Sequence, residues 1–159
     1  KAARMNMVMN NDGHGNIFSF NSLEYDVPDR RVPEMELFEK AGGGHGRFDY
    51  VFTNPPFGSK IPITDPEVLE RFDLGHVWKK SGETWRKDRV QPKVPPEVLF
   101  IEACYKFLKP KTGVMALVVP NGILGNPGEQ MEAVRWWMRR WRMWRRARRR
   151  ATTWTARSC

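Results

Sequence analysis

The sequence predicts an α/β fold, part of a doubly wound, mostly parallel sheet flanked by helices. Residues 48–53 (FDYVFT) form a short run of aromatic and β-branched residues closed by two prolines, which is typical of a buried strand. Residues 96–109 show the clearest helical pattern. Residues 114–119 (VMALVV) form a continuous apolar run, as in strands buried on both faces. A strand, a crossover helix and a second strand make a right-handed βαβ unit.

The segments before this unit predict two helices and one strand. Residues 1–10 (KAARMNMVMN) contain good helix formers with apolar residues at helical spacing. Residues 16–20 (NIFSF) predict a short strand, and residues 33–41 (PEMELFEKA) an amphipathic helix with Pro and Glu in its first turn. With strands at 49–53 and 114–119, the predicted sheet has only three strands. We expect its exposed edges to favour aggregation or pairing with a partner.

The helix predicted at residues 96–109 carries one polar stripe. Glu102, Lys106 and Lys109 lie at i, i+4 and i+7, which places Glu102 to pair with Lys106. The other sides of the helix are apolar, so we expect it to be packed over most of its surface. Pro110 and Gly113 end it.

Residues 59–96 are polar, interrupted by prolines and without sustained periodicity, which predicts a long loop. Loops of this length inside a domain are uncommon unless they are functional or disordered. The lysines, arginines, Trp78 and Trp85 of this segment favour contact with a phosphate backbone or a cover over a base pocket. The alternative is a solvated loop in which two tryptophans are pinned to the body.

The positive charge of the chain is concentrated at one end. The 159 residues have a net charge of +9 and are enough for one domain with a core. Residues 135–159 hold ten arginines, five of the seven tryptophans and no acidic residue, whereas residues 1–134 hold 17 basic and 18 acidic side chains. The predicted domain is therefore close to neutral, and residues 135–159 form a separate Arg/Trp tail.

Several classes of protein are disfavoured. No stretch approaches the roughly 18 apolar residues of a membrane span, and the first residues do not resemble a signal peptide. Cys104 and Cys159 match no disulfide framework or zinc spacing, and the three histidines have no partner ligands nearby in sequence. We therefore expect a cytoplasmic protein without a metal site and without a membrane partner.

The candidate site is the corner formed by Asn54, Pro55, Pro56, Phe57 and Gly58, at the carboxyl end of the predicted central strand. Ligands of open α/β sheets bind at that end of the strands. The two prolines fix the backbone and remove two N–H groups, so the corner presents carbonyl oxygens and the Asn54 amide with few competing donors. Such a corner suits an exocyclic amine, and Phe57 adds an aromatic face. On four residues alone, a stiff loop corner is an equally good interpretation.

The Asn-Pro-Pro-Phe motif after an apolar strand resembles the catalytic motif of the amino-methyltransferases that use S-adenosylmethionine. The trailing Gly58 and the preceding FDYVFT resemble the methylation (M) subunits of type I restriction-modification systems. By this resemblance Asn54 and the Pro55 carbonyl would accept hydrogen bonds from the N6 amino group of adenine in DNA. Phe57 would stack on the flipped base, and Pro56 would hold the corner. Specificity and restriction subunits would be the protein partners.

The resemblance extends from about residue 3 to about residue 137 and implies a Rossmann-like methyltransferase fold that is incomplete here. Family members hold S-adenosylmethionine with a glycine-rich loop, and no such pattern occurs in this sequence. Residues 42–46 (GGGHG) are no substitute, because they precede a strand and do not link a strand to a helix. Asn21 stands where the family has an acidic cofactor contact; it is either an amide contact to the cofactor's adenine or a plain turn residue. We expect a fragment that is inactive alone.

The predicted domains are therefore residues 1–134, a partial methyltransferase catalytic domain, and residues 135–159, a tail that is non-native or disordered. A frameshift near residue 138 would produce such a run of Arg and Trp. Two other functions stay open: methylation of another planar amine or amide, such as a protein glutamine, or a cationic module that binds nucleic acid or membrane through the tail.

Overall fold

The computed structural model describes residues 2–11, 15–57 and 61–140. In these residues the chain forms six α-helices and four β-strands. In chain order they are α1 (Ala2–Met9), α2 (Pro33–Lys40), β1 (Tyr50–Thr53), α3 (Pro66–Glu70), β2 (His76–Ser81), β3 (Thr84–Val90), α4 (Pro96–Phe107), β4 (Val114–Leu117), α5 (Asn121–Gly125) and α6 (Glu129–Arg140). The helices predicted at 1–10, 33–41 and 96–109 are confirmed as α1, α2 and α4.

The parallel sheet joins β1 to β4, as predicted. The register pairs Tyr50 with Val114 and Thr53 with Leu117. A parallel bridge between Phe48 and Leu108 extends the contact toward the start of β1. The connection between the two strands contains the hairpin β2–β3 and α4, and the strand order in the sheet is β1-β4. The described part is a mixed α/β structure with a small parallel sheet.

The core lies around α4. Val98, Leu99 and Ile101 of this helix are fully buried and join a cluster with residues of α3, the turn after it, α5 and α6. Burying a side chain of this size contributes about 1.5–3 kcal/mol. The predicted pair forms, with Lys106 Nζ 3.7 Å from a Glu102 carboxylate oxygen, but Glu102 is buried. The polar stripe of α4 is therefore partly inside the protein.

The prediction of a loop over residues 59–96 is wrong for the described part of that segment, residues 61–96. It contains α3, a 3-10 turn (Asp73–Gly75) and the antiparallel hairpin of β2 and β3, which pair Ser81 with Thr84 across a Gly82 turn of positive φ. The hairpin alternates weakly in polarity because most of its side chains are in solvent, so it lacks the period-2 signal of a half-buried strand. Trp85 is its one buried residue.

The prediction of a strand at residues 16–20 is also wrong. This segment has no strand pairing, and its two phenylalanines instead pack on α2, with ring centroids of Phe18 and Phe20 at 5.6 and 5.3 Å from Phe38. Tyr25 and Phe107 extend the same aromatic cluster at 5.3 Å from each other. Aromatic packing therefore holds the segment where a ladder of backbone hydrogen bonds was expected.

One face of the parallel sheet is exposed, which contradicts the prediction that residues 114–119 are buried on both faces. Tyr50 and Phe52 are 65% and 71% exposed, and Val114 and Ala116 lie opposite them on the same face. The rings of Tyr50 and Phe52 stack, with centroids 6.1 Å apart. The described chain places no element over this apolar face.

Helix α6 crosses the predicted domain boundary between residues 134 and 135. Val134 on one side of the boundary and Trp137 and Met138 on the other are buried in the same core. The packed core therefore continues to residue 138 at least. Residues 141–159, the greater part of the tail, lie outside the described residues. No described helix combines the length and the hydrophobicity that a membrane crossing requires.

Candidate functional site

The candidate site begins where β1 ends. The Thr53 carbonyl accepts a hydrogen bond from the Val118 N–H at 3.1 Å, just beyond the last paired residues of β1 and β4. The two parallel strands therefore end side by side. Asn54 is the first residue to leave β1 at this edge of the sheet, where α/β proteins bind their ligands.

The corner is fixed by its prolines. Pro55 is buried, while Asn54 and Pro56 on either side of it are exposed. A buried proline ring anchors the turn, and its fixed φ leaves the neighbouring residues in extended geometry. Because neither proline has an N–H group, the backbone of the corner offers carbonyl oxygens and few competing donors. Gly58, the last residue of the predicted corner, lies outside the described residues.

Asn54 and Phe57 both face solvent. Phe57 is 48% exposed. Among residues 2–11, 15–57 and 61–140, no hydrogen bond engages the Asn54 amide and no aromatic ring packs on Phe57. The corner thus presents an amide acceptor, carbonyl oxygens and a free aromatic face. These groups match a planar ligand that carries N–H donors.

The stretch after β4 lies at the same edge of the sheet. Residues 118–120 follow β4 at the edge of the sheet where Asn54 follows β1, and Asn121, which is exposed, begins α5. The sequence predicted no role for Asn121. Parallel pairing of residues 49–53 with 114–119 was the signal that could have placed it at the same edge of the sheet as the corner.

Asn21 serves as a local cap. Its Oδ1 accepts a hydrogen bond from the Leu23 N–H at 3.2 Å and its carbonyl accepts one from the Glu24 N–H at 3.0 Å, which together begin the 3-10 turn Ser22–Glu24. The residue is exposed. No described hydrogen bond joins it to the corner at Asn54. The geometry therefore accounts for Asn21 as a turn residue.

The aromatic cluster next to Asn21 was missed from the sequence. Tyr25 lies within it and donates a hydrogen bond to a Glu39 carboxylate oxygen at 2.8 Å. Burial, with this hydrogen bond to Glu39 adding to it, raises the pKa of Tyr25 to about 12. The phenol therefore stays neutral at physiological pH and acts as a structural donor. Its signal in the sequence was the spacing of aromatic residues from Phe18 to Phe48.

The glycine run 42–46 forms the turn that ends α2. The N–H groups of Gly42 and Gly43 donate to the carbonyls of Glu39 and Phe38, and the Gly46 N–H donates to the Lys106 carbonyl at 2.8 Å. Positive φ angles at Gly42 and Gly46 make glycine the favoured residue there. As expected, the run precedes a strand. It therefore does not form the strand-to-helix cradle that binds a nucleotide phosphate.

The chemistry of the corner excludes some roles. Residues 54–57 contain no titratable side chain, so they supply no general acid or base. Within the described residues, no cluster of three His, Cys, Asp or Glu side chains is placed to hold a metal ion. The corner can accept hydrogen bonds from an amine, and Phe57 can stack on the planar ring that carries the amine.

Comparison with known proteins gives one match. The model of the N-6 DNA methylase family matches residues 1–138, which include the corner, both strands of the parallel sheet and all but two residues of α6. No curated protein and no solved structure matches the chain. A methyltransferase family whose members act on DNA fits an exposed acceptor corner at the end of a parallel strand. The chain belongs to the N-6 DNA methylase family.

Proposed function

We propose that this chain belongs to a DNA adenine-N6 methyltransferase. It binds the target base at the corner of Asn54, Pro55, Pro56 and Phe57. The observation that carries the proposal is the exposed Asn54 amide and Phe57 ring at the carboxyl end of a parallel strand. Family membership supports DNA as the substrate. The N6 amine of adenine has two N–H donors on a planar ring, which are the groups that this corner can bind.

Each residue of the corner has its own role. Asn54 Oδ1 and the Pro55 carbonyl accept the two N–H groups of the amine, which aligns them and draws the nitrogen lone pair out of conjugation with the ring. Phe57 stacks on the base, a contact worth about 1–3 kcal/mol, which offsets part of the cost of flipping it out of the duplex. Pro56 keeps the corner rigid. Catalysis of this kind depends on positioning and electrostatics.

The methyl donor of this family's reaction is S-adenosylmethionine, which supplies an electrophilic methyl group. The described residues fit the acceptor side of the reaction better than the donor side. They contain no glycine-rich turn from a strand into a helix, and Asn21, our candidate for contact with the cofactor's adenine, has its Oδ1 engaged as a cap. We therefore infer that other residues complete the donor site and that this chain alone does not transfer a methyl group.

The proposed setting is the methylation subunit of a type I restriction-modification system in the cytoplasm. The resemblance of FDYVFTNPPFG and of residues 120–126 to those subunits supports it. In such a system, the partners are DNA and the specificity and restriction subunits. The specificity subunit would choose the DNA sequence, so the corner itself needs to recognise only the adenine ring and its amine.

The experiment uses duplexes in which the base reaches the protein at low cost. Fluorescence anisotropy compares a duplex that has adenine opposite an abasic site with one that has N6,N6-dimethyladenine there, which lacks both N–H donors. We expect the chain to prefer adenine by at least about 5–10-fold, because N6,N6-dimethyladenine loses two hydrogen bonds, each worth about 1–1.5 kcal/mol. The variant Asn54→Ala should lose the part of this preference that the Asn54 hydrogen bond supplies, while Asn10→Ala, an amide on the exposed end of α1, should keep it in full.

Equal affinity of the parent chain for both duplexes would overturn the proposal. Titration of S-adenosylmethionine followed by calorimetry tests the donor side separately. No heat is expected. Binding in the micromolar range would mean that the donor site is present after all, and methyl transfer to adenine in DNA would then be the next assay.

A further inference from the structure

The hairpin of β2 and β3 concentrates positive charge on a nearly neutral domain. Its residues, 76–90, include five basic side chains (Lys79, Lys80, Arg86, Lys87 and Arg89) and two acidic ones (Glu83 and Asp88). All seven are exposed. No step of the proposed chemistry at the corner uses them.

Two of these cations are already neutralised. Lys79 Nζ lies 2.6 Å from an Asp88 carboxylate oxygen, and Lys87 Nζ lies 3.0 Å from Asp73. Lys80, Arg86 and Arg89 have no ion pair within the part of the chain that the structure describes. Three cations of the hairpin therefore remain available to an external anion.

The hairpin is held rigidly against α6. Trp85 is buried, and the Trp78 indole N–H donates to the Asp73 carbonyl at 2.9 Å. The ring of Trp78 also packs on Trp136 of α6, with centroids 5.3 Å apart. Cations on a fixed strand lose less conformational entropy on binding than cations on a flexible loop.

A groove of about 500 Å³ separates the end of the hairpin from α6. Lys80 and Arg139 contribute positive charge from opposite sides of it, and Trp85 and Trp136 line it. Glu83 and Glu132 also line the groove, so an anion is favoured at its basic rim and disfavoured at these carboxylates. Arg140 lies over the Trp136 ring at 5.4 Å and is partly engaged there.

We propose that Lys80 and Arg139 contact backbone phosphates of the DNA whose adenine enters the corner. The inference rests on the proposed function. A lipid surface is a poorer partner, because the hairpin end consists of the polar residues 81–84 (SGET) and offers no apolar side chain to insert. Phosphates along a duplex match cations spaced along a strand and a helix.

The test measures how the affinity of the full chain for a DNA duplex changes with salt concentration. This duplex lacks the abasic site with its opposing adenine. Removing one phosphate contact should reduce the slope of log K against log salt by about 0.9. Lys80→Ala and Arg139→Ala are each expected to weaken binding at low salt by a similar factor for every DNA sequence. Lys40→Ala, which removes an exposed cation at the end of α2, is the matched control.

The outcomes separate the two proposals. Asn54→Ala should keep the full salt slope while losing part of the preference for adenine, and Lys80→Ala should keep that preference in full while losing slope. Urea unfolding confirms that each variant is folded, and Lys80→Arg should restore the slope. The inference would be overturned if the slope of log K against log salt were the same for Lys80→Ala, Arg139→Ala and the control Lys40→Ala. Variants that lose affinity for vesicles with 30% phosphatidylserine but keep their affinity for DNA would also overturn it.

Discussion

The carboxylate of Glu102 accepts a hydrogen bond from the backbone N–H of Leu74 at 2.9 Å. Its second oxygen accepts one from the Asp73 N–H at 3.0 Å. Both N–H groups belong to the 3-10 turn that leads into β2, and Glu102 is buried on α4. One side chain of the central helix therefore fixes the start of the hairpin.

Replacing Glu102 should destabilise the fold. Glu102→Ala leaves two backbone donors without an acceptor, and we expect the free energy of unfolding to fall by roughly 2–4 kcal/mol. Urea unfolding measures this. Glu70→Ala, an exposed glutamate at the end of α3, should change it by less than about 0.5 kcal/mol. Equal midpoints for the two variants would show that the hydrogen bonds of Glu102 add nothing.

The stability that Glu102 contributes should depend on pH. Burial raises the pKa of Glu102 above its ordinary value, although its hydrogen bonds to Leu74 and Asp73 oppose the shift. Between the ordinary pKa and the raised one, the folded chain therefore holds a proton that the unfolded chain has lost. The contribution of this proton to stability is full below the ordinary pKa and is lost as pH rises through the raised pKa. The unfolding free energy of the parent minus that of Glu102→Gln should therefore decrease from about pH 4 upward. A difference that is flat or grows with pH would contradict this assignment.

Trp137 tests whether the core extends beyond residue 134. It is 2% exposed, and its ring meets Tyr105 edge-on at 5.7 Å. Trp137→Ala should lower the free energy of unfolding by about 3–5 kcal/mol, as expected for a large buried side chain. Arg139 lies two residues after Trp137 on α6 and is exposed. Arg139→Ala should lower the free energy of unfolding by less than about 0.5 kcal/mol. If Trp137→Ala were equally neutral, residues beyond 134 would not belong to the folded domain.

Some of the fold could be predicted from the sequence because its signals are local. The helix at Pro96–Phe107 and the parallel pair at β1 and β4 follow from apolar periodicity and from proline stops. The hairpin could not be predicted, because Trp78 packs on the distant Trp136 and Trp85 is buried in the folded chain, and neither contact has a local signal in the sequence. Residues 16–20 have the composition of a strand, but packing of Phe18 and Phe20 on α2 decides their structure.

The candidate site divides in the same way. The corner at Asn54 follows from proline chemistry next to an apolar strand, and the structure places it at the edge of the sheet where β1 and β4 end. The position of Asn121 at the same edge of the sheet depends on strand pairing. Asn21 has a local role as a cap that its sequence context allowed as one of two interpretations.

The exposed face of the parallel sheet should drive self-association. Parallel sheets are normally covered on both faces, and Phe52 is 71% exposed on a face that the described residues leave bare. Phe52→Thr keeps a strand-forming residue and should reduce aggregation in light scattering while changing unfolding free energy by less than about 1 kcal/mol. Leu37→Gln, an exposed apolar residue of α2, serves as the control. Unchanged aggregation in Phe52→Thr would rule out this face as its cause.

The central claim is that Asn54 accepts a hydrogen bond from the adenine amine. The most direct test is an NMR titration of a duplex whose adenine, opposite an abasic site, carries ¹⁵N at the N6 position. We expect both amine protons to move downfield when the chain binds, and the shift of one of them to be absent with Asn54→Ala although the variant still binds the duplex. Amine protons that stay at their free positions in the bound complex, or that shift equally with Asn54→Ala, would contradict the claim.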